Sequence, residues 1–187
     1  LVGSEMCIRD SRYYQDRHNE ICSILLDDNH RVWLATYHKG IMRSDMPYVQ
    51  GKKLSFSKVD TGSGKSEETM LCALEDADGN LWFGNIDGTL TVCHIRTGRF
   101  VVHSLLVDGV ANRASVWALY MDNKNRLYVG TGDGLLLYNH QESTCVKLSA
   151  ERYLNEKRQP FIRAIVQTKD GTIWLGTSNM GVCRLVE

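Results

Sequence analysis

The chain repeats itself four times, and this restricts its fold more than any other feature. Ile21 to Thr36 (ICSILLDDNHRVWLAT), Met70 to Asn85 (MLCALEDADGNLWFGN), Val116 to Thr131 (VWALYMDNKNRLYVGT) and Ile162 to Thr177 (IRAIVQTKDGTIWLGT) align without a gap. One column carries an aromatic anchor, Trp33, Trp82, Tyr128 and Trp174, at spacings of 49, 46 and 46 residues. A glycine follows each anchor, at Gly40, Gly88, Gly134 and Gly181, and an acidic residue precedes it by six at Asp27, Asp76 and Asp122, with Thr168 in the last copy. A period of this length marks an array in which each unit buries its apolar face against the next.

Within a unit the apolar runs are short, rich in β-branched and aromatic residues, and separated by Asp-Gly, Asn-x-Arg or glycine turns, which predicts strands. In the second copy these are strand A (Met70 to Asp76), an Asp78-Gly79 turn, strand B (Asn80 to Asn85), strand C from Thr89 to Ile95, a Thr97-Gly98 turn and strand D (Arg99 to Leu105). Leu81, Trp82 and Phe83 are consecutive apolar residues, so both faces of strand B need cover. Four antiparallel strands covered on both faces and repeated about every 46 residues describe a β-propeller blade. The expectation is an all-β propeller fragment of about four consecutive blades, at 21–60, 69–106, 115–149 and 161–187, the last without strand D. Such an arc belongs to a larger propeller, with 12–20 a remnant of a preceding blade. Closure as a four-bladed ring would need Arg12-Tyr13-Tyr14-Gln15 as the missing outer strand. Leu1 to Asp10 (LVGSEMCIRD) reads as a translated sequencing adapter, leaving 1–11 outside the fold.

The unit resembles the two-component regulator propeller repeat, in the forms EDADGNLWFGN-IDGTL, TKDGTIWLGT-SNMGV, MDNKNRLYVGTGDGLLLYN and, more degraded, LDDNHRVWLATYHKGI; HIRTGRF (His94 to Phe100) is similar to the family's lead into strand D. The departures are His30 and Asn125 for a turn glycine, Ala35 for glycine and Tyr128 for tryptophan. The resemblance implies a periplasmic input region of a hybrid two-component system. In such systems propellers precede an immunoglobulin-like connector, a membrane helix and a histidine kinase, in a dimeric, inner-membrane parent that responds to glycan fragments. It implies further blades and a connector domain of the same chain as neighbours, an oligosaccharide as ligand, and no catalysis here. A propeller enzyme of lyase or hydrolase type and a protein-binding scaffold are the competing readings.

Lys+Arg and Asp+Glu number 22 each, so no net positive field favours nucleic acid as a partner. No apolar run approaches the roughly 18 residues of a membrane helix. Thr61-Gly62-Ser63-Gly64-Lys65-Ser66 ends like a P-loop, but Val59 stands where its first glycine belongs, and a strand is expected to follow where a P-loop needs a helix. Asp76-x-Asp78-x-Asn80 brushes the calcium-loop pattern, with Leu81 at the turn-glycine position, and hairpin chemistry explains the same residues. Gly130 to Gly134 has the wrong spacing for a dinucleotide fingerprint and reads as a B-to-C turn. The six histidines contain no metal-binding pair, most being expected in loops or on strand faces, and neither metal nor cofactor is expected. Cys22, Cys72, Cys93, Cys145 and Cys183 lack C-x-x-C and are expected as single buried thiols.

Ligand contacts are sought where the copies differ. The D-to-A and B-to-C loops share one face of a propeller, which collects Tyr37, His38, Lys39, Ile86, Asp87, Asp133, Ser178 and Asn179. The variable second position of strand A (Cys22, Leu71, Trp117, Arg163) starts at the same end. Trp117 and Arg163 are the preferred pair, because a sugar site combines an aromatic plate with polar groups for hydroxyls. The anchor column and the four following glycines are assigned to the frame.

Overall fold

The computed structural model describes residues 20–64, 68–139, 144–150 and 159–185. The adapter-like start, the 12–20 remnant up to residue 19, the Arg12–Gln15 closing strand, and Lys65 and Ser66 of the P-loop-like run lie outside the described residues. Every strand belongs to one of four sheets that follow the repeat. Blade 1 holds β1 (Ile21–Leu26), β2 (Val32–Thr36), β3 (Ile41–Ser44) and β4 (Phe56–Lys58). Blade 2 holds β5 (Met70–Glu75), β6 (Leu81–Asn85), β7 (Thr89–His94) and β8 (Arg99–Ser104). Two short strands, β9 (Leu106–Val107) and β10 (Val110–Ala111), lead into blade 3, with β11 (Val116–Met121), β12 (Leu127–Thr131), β13 (Gly134–Asn139) and β14 (Thr144–Lys147). Blade 4 holds β15 (Ile162–Gln167), β16 (Ile173–Thr177) and β17 (Val182–Arg184). The four sheets make a β-propeller arrangement in which β1, β5, β11 and β15 lie side by side in that order as the inner strands.

The third blade departs from four strands per blade. β9 pairs in parallel with β14, so the linker after blade 2 extends blade 3 to six strands. The outer strand of a blade is a sheet edge whose backbone groups lack partners, and the passing linker supplies some of them. Two-residue strands carry no periodicity, which is why the linker reads only as a connection in sequence.

The A-to-B turn is built the same way four times. His30, Gly79, Asn125 and Gly171 all have positive φ, 58°, 79°, 61° and 89°. The two copies without glycine therefore keep the left-handed backbone, which His and Asn adopt more readily than most residues. Asp27, Asp76 and Asp122 each use Oδ1 to accept two turn amides, from Asn29 and Arg31, Asp78 and Asn80, and Lys124 and Arg126. The calcium-like run around Asp76 is thus spent on turn hydrogen bonds. Asp27 and Asp76 then use Oδ2 to accept the indole N–H of Trp33 and Trp82, at 2.7 and 2.8 Å.

Adjacent blades bury three seams. Trp33 packs with Met70 and Phe83, Trp82 with Val116, Val129 and Tyr138, and Tyr128 with Ile162 and Leu175. Strand B approaches the next blade so closely that a methyl group has no room: a Cβ on Gly84 would sit 2.5 Å from Val116, and one on Gly130 2.6 Å from Ile162. Gly176 meets only its own blade, at Ala164. The anchors differ in the same way. Trp33, Trp82 and Tyr128 are 2%, 6% and 2% exposed, whereas Trp174 is 37% exposed beside Val166 at 55% and Val182 at 72%. Trp174 is therefore not a core residue here, contrary to expectation, because among the described residues nothing covers the side that its column buries against a following blade. On the first blade Ile24 and Leu26 are exposed while Leu34 and Met42 are buried with Val32 and Phe56.

Candidate functional site

The second residue of strand A, singled out by its variability, is in every copy the extra residue of a β-bulge. The pairing jumps from Ile21 to Ser23, from Met70 to Cys72, from Val116 to Ala118 and from Ile162 to Ala164. A bulge re-aims the side chain it carries; here Cys22 and Arg163 are exposed, Trp117 is half-buried and Leu71 is buried. The frame columns on either side are alike in type among the copies, and the bulge column holds Cys22, Leu71, Trp117 and Arg163.

The same end of the blades is tied together by a bond made four times. The residue after strand B, Tyr37, Ile86, Gly132 or Ser178, donates its amide to the carbonyl of the residue before strand A, Glu20, Thr69, Ser115 or Phe161. The B-to-C loop and the start of strand A therefore share one face. Within that loop Gly40, Gly88, Gly134 and Gly181 have φ between 70° and 100°, so they are needed for the turn. Thr36, Thr131 and Thr177 close it by donating Oγ1 to the carbonyls of Gly40, Gly134 and Gly181 at 2.9 Å.

Between blades 3 and 4 this face gathers Trp117, Phe161, Arg163 and Ser178. The Arg163 guanidinium carbon lies 3.9 Å from the Trp117 ring centroid and 4.9 Å from that of Phe161. The two rings are 5.3 Å apart and tilted by 46°. Arg163 Nε donates to Ser178 Oγ at 3.0 Å. Trp117 Nε1 is buried with no hydrogen-bond partner among the described residues, a state that costs about 1–3 kcal/mol for a polar group. The preferred pair is therefore brought together, in an arrangement different from a bare aromatic plate: the guanidinium covers Trp117. Sequence reasoning misses Phe161; its column, Glu20, Thr69, Ser115 and Phe161, is aromatic only in the fourth copy, and that singularity is the available signal.

The other candidates stand on the loops and bond close to home. Tyr37 and His38 meet edge to face at 4.9 Å. Lys39 donates its amide to Thr36 Oγ1 and pairs through its backbone, in an isolated parallel β-bridge, with Glu68 of the following linker. Asp87 accepts from the Thr89 amide and hydroxyl, Asp133 forms a 2.6 Å ion pair with Lys147, and Asn179 is exposed. In the bulge column Cys22 is exposed, not a buried thiol as expected, and partial burial of its sulfur, followed by the charge of Glu20, pushes its thiol up.

A cleft of about 780 Å³ opens at the opposite end, between blades 2 and 3, where the A-to-B turns lie. Trp82, His103 and Tyr138 line it, with His103 stacked on Trp82 and hydrogen-bonded to Tyr138 Oη at 3.1 Å. His103 thus differs from the solvated histidines expected of most of the six, while His18 and His140 lie outside the described residues. Trp82 and Tyr138 are nearly fully buried and present little face to a ligand. This cleft is part of the blade seam. Among the described residues no group of three His, Cys, Asp or Glu side chains comes together to hold a metal ion.

Comparison with known proteins places this frame. The two component regulator propeller family matches at residues 64–87, 109–133 and 157–179, the approach and first two strands of blades 2, 3 and 4. The extracellular domain of the putative hybrid two component system BT4673 from B. thetaiotaomicron is 18% identical, with a TM-score of 0.68 over 88% of this chain and 23% of its own length. That of BT3049 from the same organism is 23% identical, with a TM-score of 0.64 over 89% and 20%. Virginiamycin B lyase from Staphylococcus aureus is 12% identical, with a TM-score of 0.65 over 92% and 54%. The chain thus spans 20–23% of the length of those extracellular domains. None of the curated proteins matches it significantly.

Proposed function

We propose, from the premise that this chain is a two-component regulator propeller protein, that it serves as the ligand-sensing input of a membrane-bound hybrid two-component sensor. It responds to glycan-derived oligosaccharides and does no chemistry on them. One observation carries the reading: on a frame repeated four times, the single bulged column aims unlike residues at one face, and there Trp117, Phe161 and Arg163 assemble across a blade seam. Aromatic rims with a few fixed polar groups suit sugar recognition. The hybrid two-component domains of the same fold are extracellular, which supports a periplasmic position for this chain within a dimeric inner-membrane histidine kinase.

The open face of blade 4 supports further blades of the same protein as its neighbours. Trp174 stands in a column that is buried in blades 1 to 3, and the room beside Gly176 matches the room that Val116 fills beside Gly84. Acrylamide should quench Trp174 in this chain and fail to do so once the downstream blades are present. Equal quenching in both would remove this part of the reading.

The test of function is a panel of neutral and acidic oligosaccharides titrated into the protein by calorimetry, with the recovered sugars weighed by mass spectrometry. Binding without turnover is expected. Cleavage of a bound sugar would instead favour lyase-type chemistry, the activity named for virginiamycin B lyase of the same fold. Failure of every sugar to bind overturns the saccharide reading.

A further inference from the structure

We infer that the seam between blades 3 and 4 is a receptor for an anionic group, the carboxylate or sulfate of an acidic sugar, with Arg163 as its fork. The inference rests on the saccharide reading above and names the class of saccharide.

Both polar groups of the ring cluster are donors only, the indole N–H of Trp117 and the guanidinium of Arg163. Trp117 Nε1 is out of solvent contact and unmatched among the described residues. Of the five guanidinium N–H groups, the one on Nε is taken by Ser178 Oγ, and the Nη donors find no acceptor among the described residues. Arg31 and Arg126 differ: Arg31 donates to the carbonyls of Ser44 and Asp45, and Arg126 to Asp122. The carboxylates of the same face are already engaged, Asp133 by Lys147 and Asp87 by Thr89. Arg163 is exposed, yet two rings and a hydroxyl fix its plane, so little side-chain freedom is left to lose on binding.

A planar fork held in this way matches two oxygens of a carboxylate or sulfate, in charge-assisted bonds stronger than those to neutral hydroxyls. Because the guanidinium covers the indole, a ligand meets a charged plane with an aromatic rim instead of a bare apolar plate. That order of surfaces favours an acidic over a neutral sugar ring.

The experiment titrates the protein by calorimetry, at constant ionic strength, with digalacturonic acid, its carboxyl-reduced neutral form, a sulfated neutral disaccharide and sodium sulfate. The expected result is binding of at least one acidic disaccharide about tenfold or more tighter than the reduced form. The uronate and sulfated arms identify which anion is read. Arg163→Gln, at an exposed position, should bring the acidic sugar down to the affinity of the neutral one with a cooperative thermal transition retained, and Arg163→Lys should recover only part. Equal binding of acidic and reduced sugars, or wild-type affinity in Arg163→Gln, overturns the anion receptor and leaves the saccharide reading standing. No binding of any sugar, with or without binding of sulfate alone, overturns both.

Discussion

Arg126 Nε donates to Asp122 Oδ2 at 2.6 Å, the carboxylate oxygen that in the two preceding blades receives an indole N–H. Blade 3 carries Tyr128 at the anchor column, whose hydroxyl cannot reproduce the indole donor, and Arg126 takes over while its guanidinium lies 5.5 Å over the Tyr128 ring. The substitution that looks in sequence like a degraded repeat is a second way of closing the same turn.

This makes the two residues interchangeable in a defined sense. Arg126→Ala should cost about 1 kcal/mol, below the roughly 1.5–3 kcal/mol of a sheltered bond to a charged group, because the arginine is a third exposed and solvent screens the pair. Adding Tyr128→Trp to that variant should recover most of the loss, with a coupling between the two changes of about 0.5–3 kcal/mol. Urea denaturation of the four forms in a double-mutant cycle measures it, and additive effects would contradict the exchange.

Asp76 ties one turn and one anchor together. Asp76→Ala leaves Trp82 Nε1 and the amides of Asp78 and Asn80 without their acceptor and should destabilise the protein by about 1–3 kcal/mol. Burial works against ionisation of this carboxyl, and the bonds from Trp82 and Asn80 outweigh it, holding it below the usual carboxylate range. A folded-state value below the unfolded one contributes stability above the ordinary carboxylate pKa that is lost as the pH falls. The melting temperature should therefore drop below pH about 4, and Asp76→Asn should be less stable at neutral pH with a shallower acid limb.

The strand B glycines offer a position-specific contrast. Gly84→Ala must displace Val116 and should cost about 1–3 kcal/mol, whereas Gly176→Ala meets only Ala164 at 3.3 Å and should stay within about 0.5 kcal/mol. Chemical denaturation of the two single variants checks this. In a chain extended by a further blade, the Gly176 change should become as costly as the Gly84 change.

Buried thiols set an alkaline limit. Burial pushes the Cys72 thiol up to about 12 from 9.0, and those of Cys93 and Cys145 to about 11 and about 12. The native state keeps protons that the unfolded chain releases above pH about 9, so this contribution is intact below that pH and is lost as the pH rises toward the folded values. For Cys72 the loss is about 1.4 kcal/mol per pH unit over that range. Thermal unfolding followed from neutral to alkaline pH should steepen above the ordinary thiol value, and Cys72→Ala, the residue found at Ala118 and Ala164 in its column, should flatten it.

Much of the frame is legible in the amino-acid sequence. The gap-free alignment places the strands of the second blade to within a residue or so, because turn residues and apolar runs are local signals. The acidic and tryptophan columns are each visible there, but their bond is not, since spacing alone does not say which side chains meet across a hairpin. The β9 strand leaves no such mark, because a two-residue pairing to β14 depends on where the linker passes in space.

The site divides in the same way. Variability at the second position of strand A points to Cys22, Leu71, Trp117 and Arg163, yet only the register shows that each is the unpaired residue of a bulge. Periodicity alone determined that this chain is an array of β blades needing cover on both faces, because every copy repeats the same apolar columns. The tertiary structure decided that Arg163 lies on Trp117 and Phe161, and that the Trp174 side of the array is uncovered among the described residues. Both are contacts, made or missing, between one unit and the next, and a repeat pattern specifies the unit without specifying what its neighbour places against it.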